Sequence, residues 1–300
     1  MSHIAIIIPV HDGWTYTQKC LSSMESMVNA GRTADGTQYS VVLVDDGSAD
    51  DTAAFVHQHF PWVHLLLGNG SLWWSGGINM GSSYAIEKLH ADYLLLWNND
   101  IFPGDHYFQN LSDIVYTSNG QVIWGSLVRE LQHPERVWSM GGRFNRKTGA
   151  RFMLGLDKPI GDLPKTPQPA DWLTGMGTLV PVEVVKRIGY WDARRFPQYH
   201  GDSDFTCRAR EAGFQLFVHP KLTIYNDLYS TAPLHQGEFR KLIRSLGHIK
   251  SKYNFRKDWA FYRRHKAAPL AYFNLLWRYV RYIGGFFKWK ILRVLGMRKM

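Results

Sequence analysis

Four aliphatic runs, each long enough for one strand and each ending in a polar cluster, constrain the fold of this chain most. The first is Ile4-Ala5-Ile6-Ile7-Ile8, stopped by Pro9 and followed by Val10-His11-Asp12. The second, Val41-Val42-Leu43-Val44, ends in Asp45-Asp46-Gly47-Ser48. The third runs from Val63 to Leu67 and meets Asn69-Gly70; the fourth runs from Tyr93 to Trp97 and ends in Asn98-Asn99-Asp100. Unbroken apolar runs of this length read as strands buried on both faces. The segments between them read as helices. Thr15 to Val28 sets Cys20, Leu21, Met24 and Met27 on one face, Asp51 to Phe60 follows the second strand, and Gly70 to Leu89 begins Gly-rich and becomes helical. Strands alternating with helices predict an α/β protein, a parallel sheet with helices on both faces. Ligands of such sheets sit beyond the carboxyl ends of the strands, where all four polar clusters fall. Asp, Asn and Gly are turn formers, which explains one such cluster more readily than four in phase.

A fifth segment adds acid–base chemistry. Tyr199 to Phe214 reads as a loop running into a helix, with Asp202 and Asp204 two residues apart and Arg208 four residues after Asp204. Gly213-Phe214 closes the helix. Carboxylates near a helix start are placed to accept a proton, although a capped, salt-bridged surface helix has the same pattern. Three hundred residues suffice for one large domain with a substantial core. Segment 129–170 shows little periodicity and reads as an irregular excursion or short hairpin.

Together these motifs resemble an inverting family 2 glycosyltransferase of the GT-A type. The resemblance rests on Ile8-Pro9-Val10-His11-Asp12, Val44-Asp45-Asp46-Gly47-Ser48, Gly76-Gly77-Ile78-Asn79-Met80-Gly81, Trp97-Asn98-Asn99-Asp100 and Gly201-Asp202-Ser203-Asp204. Leu173-Thr174-Gly175-Met176-Gly177 and Arg187-Ile188-Gly189-Tyr190-Trp191-Asp192 also match, so the likeness spans about residues 4 to 227. The Asn-Asn-Asp variant is similar to the bacterial cell-surface branch that includes many rhamnosyltransferases. The resemblance implies a GT-A fold, Rossmann-like and mostly parallel, and a UDP- or dTDP-linked sugar donor, dTDP-rhamnose among the candidates. Asp45 would accept from N3–H of a uracil or thymine ring, beside a floor of Pro9, Val10 and His11. Gly77 and Asn79, at a helix start, would offer backbone N–H groups to the nucleotide; a tight, closely packed turn is the alternative reading of the glycines. Asn98 and Asn99 would join the nucleotide-sugar site. Asp100 would hold a weakly bound Mg2+ or Mn2+ that bridges the diphosphate. Asp202 would be the general base, with Asp204 and Arg208 supporting its loop or touching the acceptor. Three departures from the family pattern stand out. Asn replaces acid at 98 and 99, Gly201 stands before Asp202 where the family has Glu, and Asn226-Asp227 occupies the place of a metal-binding His.

Trp73-Trp74 reads as a ring platform for a sugar or base, or as loop packing. Cys20 and Cys207 fall on helix faces as free thiols, which suits a reducing cytoplasm. Met1-Ser2-His3 leads directly into a strand, so no signal peptide is expected. Charge divides the chain near residue 230. Residues 231–300 carry 17 Lys and Arg against 2 acids, a net of +15, and residues 1–230 have a net of −5. The expected domains are therefore a GT-A domain over 1–230 and a basic, aromatic, helical extension over 231–300. Tyr272 to Phe287 is the most apolar part of the extension, but Arg278 and Arg281 interrupt it, so a membrane-spanning helix is rejected. Basic residues among Trp277, Phe286, Phe287 and Trp289 suit an interfacial helix on anionic lipid. No nucleic-acid fold accompanies the charge, and none is expected as a partner. The expectation is an enzyme on the inner face of a cell membrane, moving sugar to a glycan or lipid-linked acceptor. A nucleotide-sugar-binding scaffold and a nucleotidyltransferase remain the alternative classes. The second would normally carry a Gly-rich, basic loop where His11-Asp12-Gly13-Trp14 stands.

Overall fold

The computed structural model describes residues 2–29, 36–118, 120–227, 239–251 and 253–294. Residues 231–238, 252 and 295–300 of the expected basic extension, and 228–230 just before it, lie outside the described residues. The chain divides into two compact units. The first comprises Met1–Arg143, Phe152–Pro197 and Gly201–Ser230; the second comprises Phe144–Arg151, Gln198–His200 and Thr231–Met300. The second unit thus draws two short segments from within the region expected to be a single GT-A domain.

The first unit opens with β1 (His3–Val10), α1 (Trp14–Ser22), α2 (Glu25–Asn29), β2 (Gln38–Asp45), α3 (Thr52–His59), β3 (His64–Leu67), α4 (Trp73–Glu87) and β4 (Tyr93–Leu96). There follow β5 (Ile101–Pro103), α5 (Tyr107–Thr117), β6 (Val122–Glu130) and β7 (Val137–Ser139). The excursion contains β8 (Gly142–Phe144) and β9 (Arg151–Met153), which form a separate two-stranded sheet, and β10 (Gln168–Pro169). The unit closes with β11 (Thr178–Pro181), α6 (Val182–Ile188), α7 (Gly201–Glu211) and β12 (Gln215–Asn226). The main sheet runs β10-β12-β6-β11-β4-β1-β2-β3, with β5 paired to β12 and β7 to β6. Its β4-β1-β2-β3 half is parallel, as is the β6–β12 pair, while β11 enters antiparallel between β4 and β6.

Successive side chains of a strand point to opposite faces, and β1 shows why both faces must be covered. Ile4, Ile6 and Ile8 join Cys20, Leu21 and Met24 on one side. Ala5 and Ile7 join Ile78 and Ala85 of α4 on the other. Gly81 permits this contact, because a Cβ there would lie 2.5 Å from Ile7 Cγ2. The helix expected over Thr15 to Val28 is broken in two. Ser23 Oγ donates to the Cys20 carbonyl at 2.6 Å, and Met24 N–H donates to Leu21 rather than to residue 20. That side-chain bond competes with the helical ladder and ends α1. Both cysteines are free and buried, and burial pushes the Cys20 thiol up to about 12.

The second unit contains α8 (Phe239–Ser245), α9 (Phe255–Arg264) and α10 (Pro269–Val294). Ala271, Leu275 and Tyr279, at helical spacing, are the buried face of α10. Leu270, Phe273, Leu276, Trp277, Val280 and Phe287 are exposed. Phe286, expected in the lipid-facing set, is half-buried and packs 6.2 Å from the Phe239 ring. Among the described residues no helix is long and apolar enough to cross a membrane. A buried polar group organises this unit. Asp258 Oδ1 meets His200 Nε2 at 3.0 Å, and Oδ2 accepts from Tyr279 Oη at 2.7 Å and from Arg278. His200 Nδ1 faces Arg151 Nη1 at 2.6 Å.

Candidate active site

The parallel register sets the polar clusters side by side. Val10 pairs with Asp45 across β1 and β2, and Asp45 pairs with Leu67 across β2 and β3. The β1 and β2 loops are tied together. His11 Nδ1 lies 2.8 Å from the Asp46 carbonyl, an acceptor, so that nitrogen carries a proton and donates it. Asp46 N–H donates to the Val10 carbonyl, and Asp12 Oδ1 accepts from Ala49 N–H. Asp45 is 2 % exposed, and its Oδ1 accepts from Ser48 N–H at 2.8 Å.

Asp46 is a residue the motif reading left without a role. Its Oδ1 accepts from Gly70 N–H at 2.8 Å and its Oδ2 from Trp73 N–H at 2.9 Å. These bonds hold Trp73 at φ 57°, a conformation bulky side chains avoid. They also cap the start of α4, because a helix leaves its first N–H groups unsatisfied. The signal was available in sequence: a second Asp directly after Asp45, facing a Gly68-Asn69-Gly70 loop rich in N–H groups.

Because α4 begins at Trp73, Gly77 and Asn79 are not at a helix start as expected. The Gly76 N–H already donates to Leu72 within the ladder. Gly77 packs on Pro9, whose Cβ would lie 2.7 Å from an added Cβ. Asn79 brackets the Trp191 backbone, accepting its N–H at 3.0 Å and donating to its carbonyl at 2.9 Å.

Trp74 joins the β4 rim to the α7 start. Its Nε1–H donates to Asn98 Oδ1 at 3.0 Å. Its ring fills the space beside two glycines: an added Cβ would come within 2.2 Å of it at Gly175 and 3.4 Å at Gly201. Gly175 N–H in turn donates to Asp202 Oδ2 at 3.0 Å, and Ser203 N–H to Oδ1 at 2.7 Å. Asp202, Asn98 and the 173–177 turn are thereby set around one indole. Asp204 is fully buried and meets Arg208 Nε at 3.0 Å. Arg208 Nη1 and Nη2 donate to the Ile188 and Tyr190 carbonyls at 2.9 and 2.8 Å. All three guanidinium nitrogens of Arg208 are engaged in holding the 188–190 loop against α7. Trp191 then stacks on Phe205 at 3.9 Å.

Asn99 Nδ2 donates to Thr17 Oγ1 at 3.0 Å, which leaves its carbonyl oxygen toward other partners. Asp100 ends the motif, and its carbonyl accepts from Asp227 N–H at 3.0 Å, so Asp227 stands beside it. Among the described residues no group of three or more His, Cys, Asp or Glu gathers in metal-binding fashion. One carboxylate with an amide carbonyl fits Mg2+ or Mn2+ only when phosphate oxygens complete the coordination. This donor set therefore fits a cation held jointly with a diphosphate.

Comparison with known proteins follows the same lines. A crystal structure of GalNAc-T7 with UDP, GalNAc and Mn2+ superposes with a TM-score of 0.60 at 13% identity, covering 91% of this chain and 55% of that one. S. aureus TarS, residues 1–349, superposes with a TM-score of 0.50 at 13% identity, covering 90% and 73%. At such identities the likeness is one of fold, and the fold is GT-A. The low-salt glycan biosynthesis hexosyltransferase Agl10 of Haloferax volcanii is 24% identical over 188 residues, 58% of this chain. The chain spans about half, 54%, of that relative's length. The chain belongs to glycosyl transferase family 2, whose family model matches residues 5–164, just over half of its length.

Proposed function

We propose that this chain is an inverting glycosyltransferase moving a sugar from a UDP- or dTDP-linked donor to a hydroxyl of a glycan or lipid-linked acceptor. The observation that carries the reading is the Trp74 link: one side chain binds Asn98 at the end of β4 and packs against the glycines flanking Asp202. A candidate base and a candidate donor site are thus built on one rim. Asp45 would receive the pyrimidine N3–H beside Pro9, Val10 and His11. The Asn98-Asn99-Asp100 strand end would meet the diphosphate. The Asn-Asn-Asp variant favours dTDP-rhamnose among the donors.

Asp202 would be the general base. Its Oδ2 accepts Gly175 N–H and its Oδ1 accepts Ser203 N–H, two backbone bonds that fix the carboxylate at the start of α7. The acceptor oxygen would bond to the anomeric carbon as the bond from that carbon to the phosphate oxygen breaks. The electron pair leaves with the diphosphate and the proton goes to Asp202. Attack opposite the leaving group inverts the anomeric centre. A divalent cation shared between Asp100, Asn99 and the phosphates would neutralise charge on the leaving group. Gly77 and Asn79 would act indirectly, by seating α4 on β1 and fixing Trp191.

The α10 face bearing Leu270, Phe273, Trp277 and Val280 would rest on anionic lipid, with Trp289 at the headgroups and Arg281, Lys288 and Lys290 near phosphate. This would keep the enzyme peripheral, at the inner leaflet, near a lipid-linked acceptor. The test of the enzymatic reading is donor turnover followed by NMR across UDP- and dTDP-sugars. Release of a product of inverted configuration is expected. A retained configuration would overturn the mechanism, and no turnover or binding with any donor would overturn the function.

A further inference from the structure

We propose that Asn98 presents its amide N–H groups to a phosphate oxygen of the nucleoside diphosphate, and that Trp74 is the positioning residue that holds it so. The inference rests on the donor site proposed above and assigns the chemistry of one of its members. An indole N–H can only donate. The Asn98 atom 3.0 Å from Trp74 Nε1 is therefore the carbonyl oxygen, Oδ1. The planar amide then turns Nδ2 to the opposite side, and among the described residues no group accepts from it. Asn99 is fixed in the reverse sense, because its Nδ2 is spent on Thr17 Oγ1, which itself donates to the Gly13 carbonyl. The two adjacent amides thus face their surroundings differently, Asn98 as donor and Asn99 as acceptor.

The polarity matters because the family's acidic motif would present only acceptors here. The Trp74 indole takes one of the two lone pairs on the Asn98 carbonyl oxygen and fixes which end of the amide faces it. The open side of Asn98 is a pair of N–H groups, which suits an anion and repels a metal. Its place on the sheet suits the phosphates. Asn98 follows β4, and Asp45 ends β2, with β1 between them. Two strand spacings separate them by about 10 Å, a span that a nucleoside diphosphate bridges with its base at Asp45.

The experiment is calorimetric titration of the full chain with UDP and with dTDP, once in Mn2+ and once in EDTA, with folding checked by circular dichroism. Asn98→Ala should lose roughly tenfold or more in nucleotide affinity in both buffers, the scale of a lost hydrogen bond to a charged group. Asn98→Asp keeps the acceptor for Trp74 but turns a carboxylate toward the phosphates. It should bind more weakly than the native protein in both buffers. Trp74→Phe should lose several-fold when Asn98 is present and nothing further when Asn98 is Ala. Three results would overturn the proposal: tighter binding by Asn98→Asp in Mn2+, unchanged binding by Asn98→Ala, or a Trp74→Phe loss equal in both backgrounds. Failure of the native protein to bind either nucleotide in either buffer would instead overturn the donor-site reading beneath it.

Discussion

Acid should destabilise this protein through His200. The side chain is 9% exposed and is held between Asp258 and Arg151. Arginine has no acceptor and always donates, so His200 Nδ1 must accept from it. The proton sits on Nε2 and is given to Asp258 Oδ1, which fixes the neutral tautomer. Protonating Nδ1 would set two donors against each other at 2.6 Å, in a buried setting. Burial first, and the Arg151 charge second, hold the imidazole down to about 4. An unfolded histidine titrates near 6.5. Between those values the unfolded chain carries one more proton, so stability rises with pH across the window. The contribution is whole above pH 6.5 and is lost as pH falls toward 4. At about 1.4 kcal/mol per unit it amounts to roughly 3 kcal/mol. Urea denaturation of the full chain between pH 7 and pH 4.5 reads it. His200→Asn, which tolerates the φ of 70° at this position, provides the comparison. The native protein should lose about 2–3 kcal/mol more than the variant over that range. Parallel pH dependences would refute the neutral, donor-opposed histidine.

Three further outcomes follow from the site and the tail. Arg208→Lys cannot reproduce a fork that serves Asp204 and two carbonyls; with Asp204 fully buried, the loss should reach about 3 kcal/mol by denaturation, and a loss below about 1 kcal/mol would return Arg208 to a substrate role. Asp45→Ala should weaken UDP or dTDP binding by about 1–3 kcal/mol, and unchanged calorimetry would remove it from the site. Phe273→Glu with Trp277→Glu should release the protein from anionic vesicles in flotation, and binding to anionic vesicles should fade with salt. Equal binding to neutral and anionic vesicles would refute electrostatic docking.

What could be read from the sequence was whatever is local in it. The run Ile4 to Ile8 could hardly be anything but a strand covered on both sides, and the polar clusters marked the rim because strand ends are where the chain turns. Contacts between distant positions had no local signature. Asn79 looked like a nucleotide ligand because Gly76-Gly77 suggested a helix start; Asp46 moves that start back to Trp73, and Trp191, 112 residues away, takes the amide. His200 and Asp258 lie 58 residues apart and are adjacent only once the second unit forms. The pairing of Asp204 with Arg208 was visible as a helical spacing, but the two carbonyls that decide its role belong to another loop. Trp74 could be picked out as unusual, yet its partner, Asn98, and its glycine seats, Gly175 and Gly201, come from three separate segments.

In the proposed reaction Asp202 takes the acceptor's proton. The most direct test is single-turnover transfer from the preferred donor by Asp202→Asn, with donor affinity measured on the same preparation. Asn keeps one of the two bonds, to Gly175 or Ser203 N–H, and sets its NH2 against the other, so folding by circular dichroism and donor affinity on the same preparation separate a structural loss from loss of the base. The chemical step should slow by about 100-fold or more, the scale of a lost general base. Transfer at the native rate, with donor binding intact, would remove Asp202 from the role of general base.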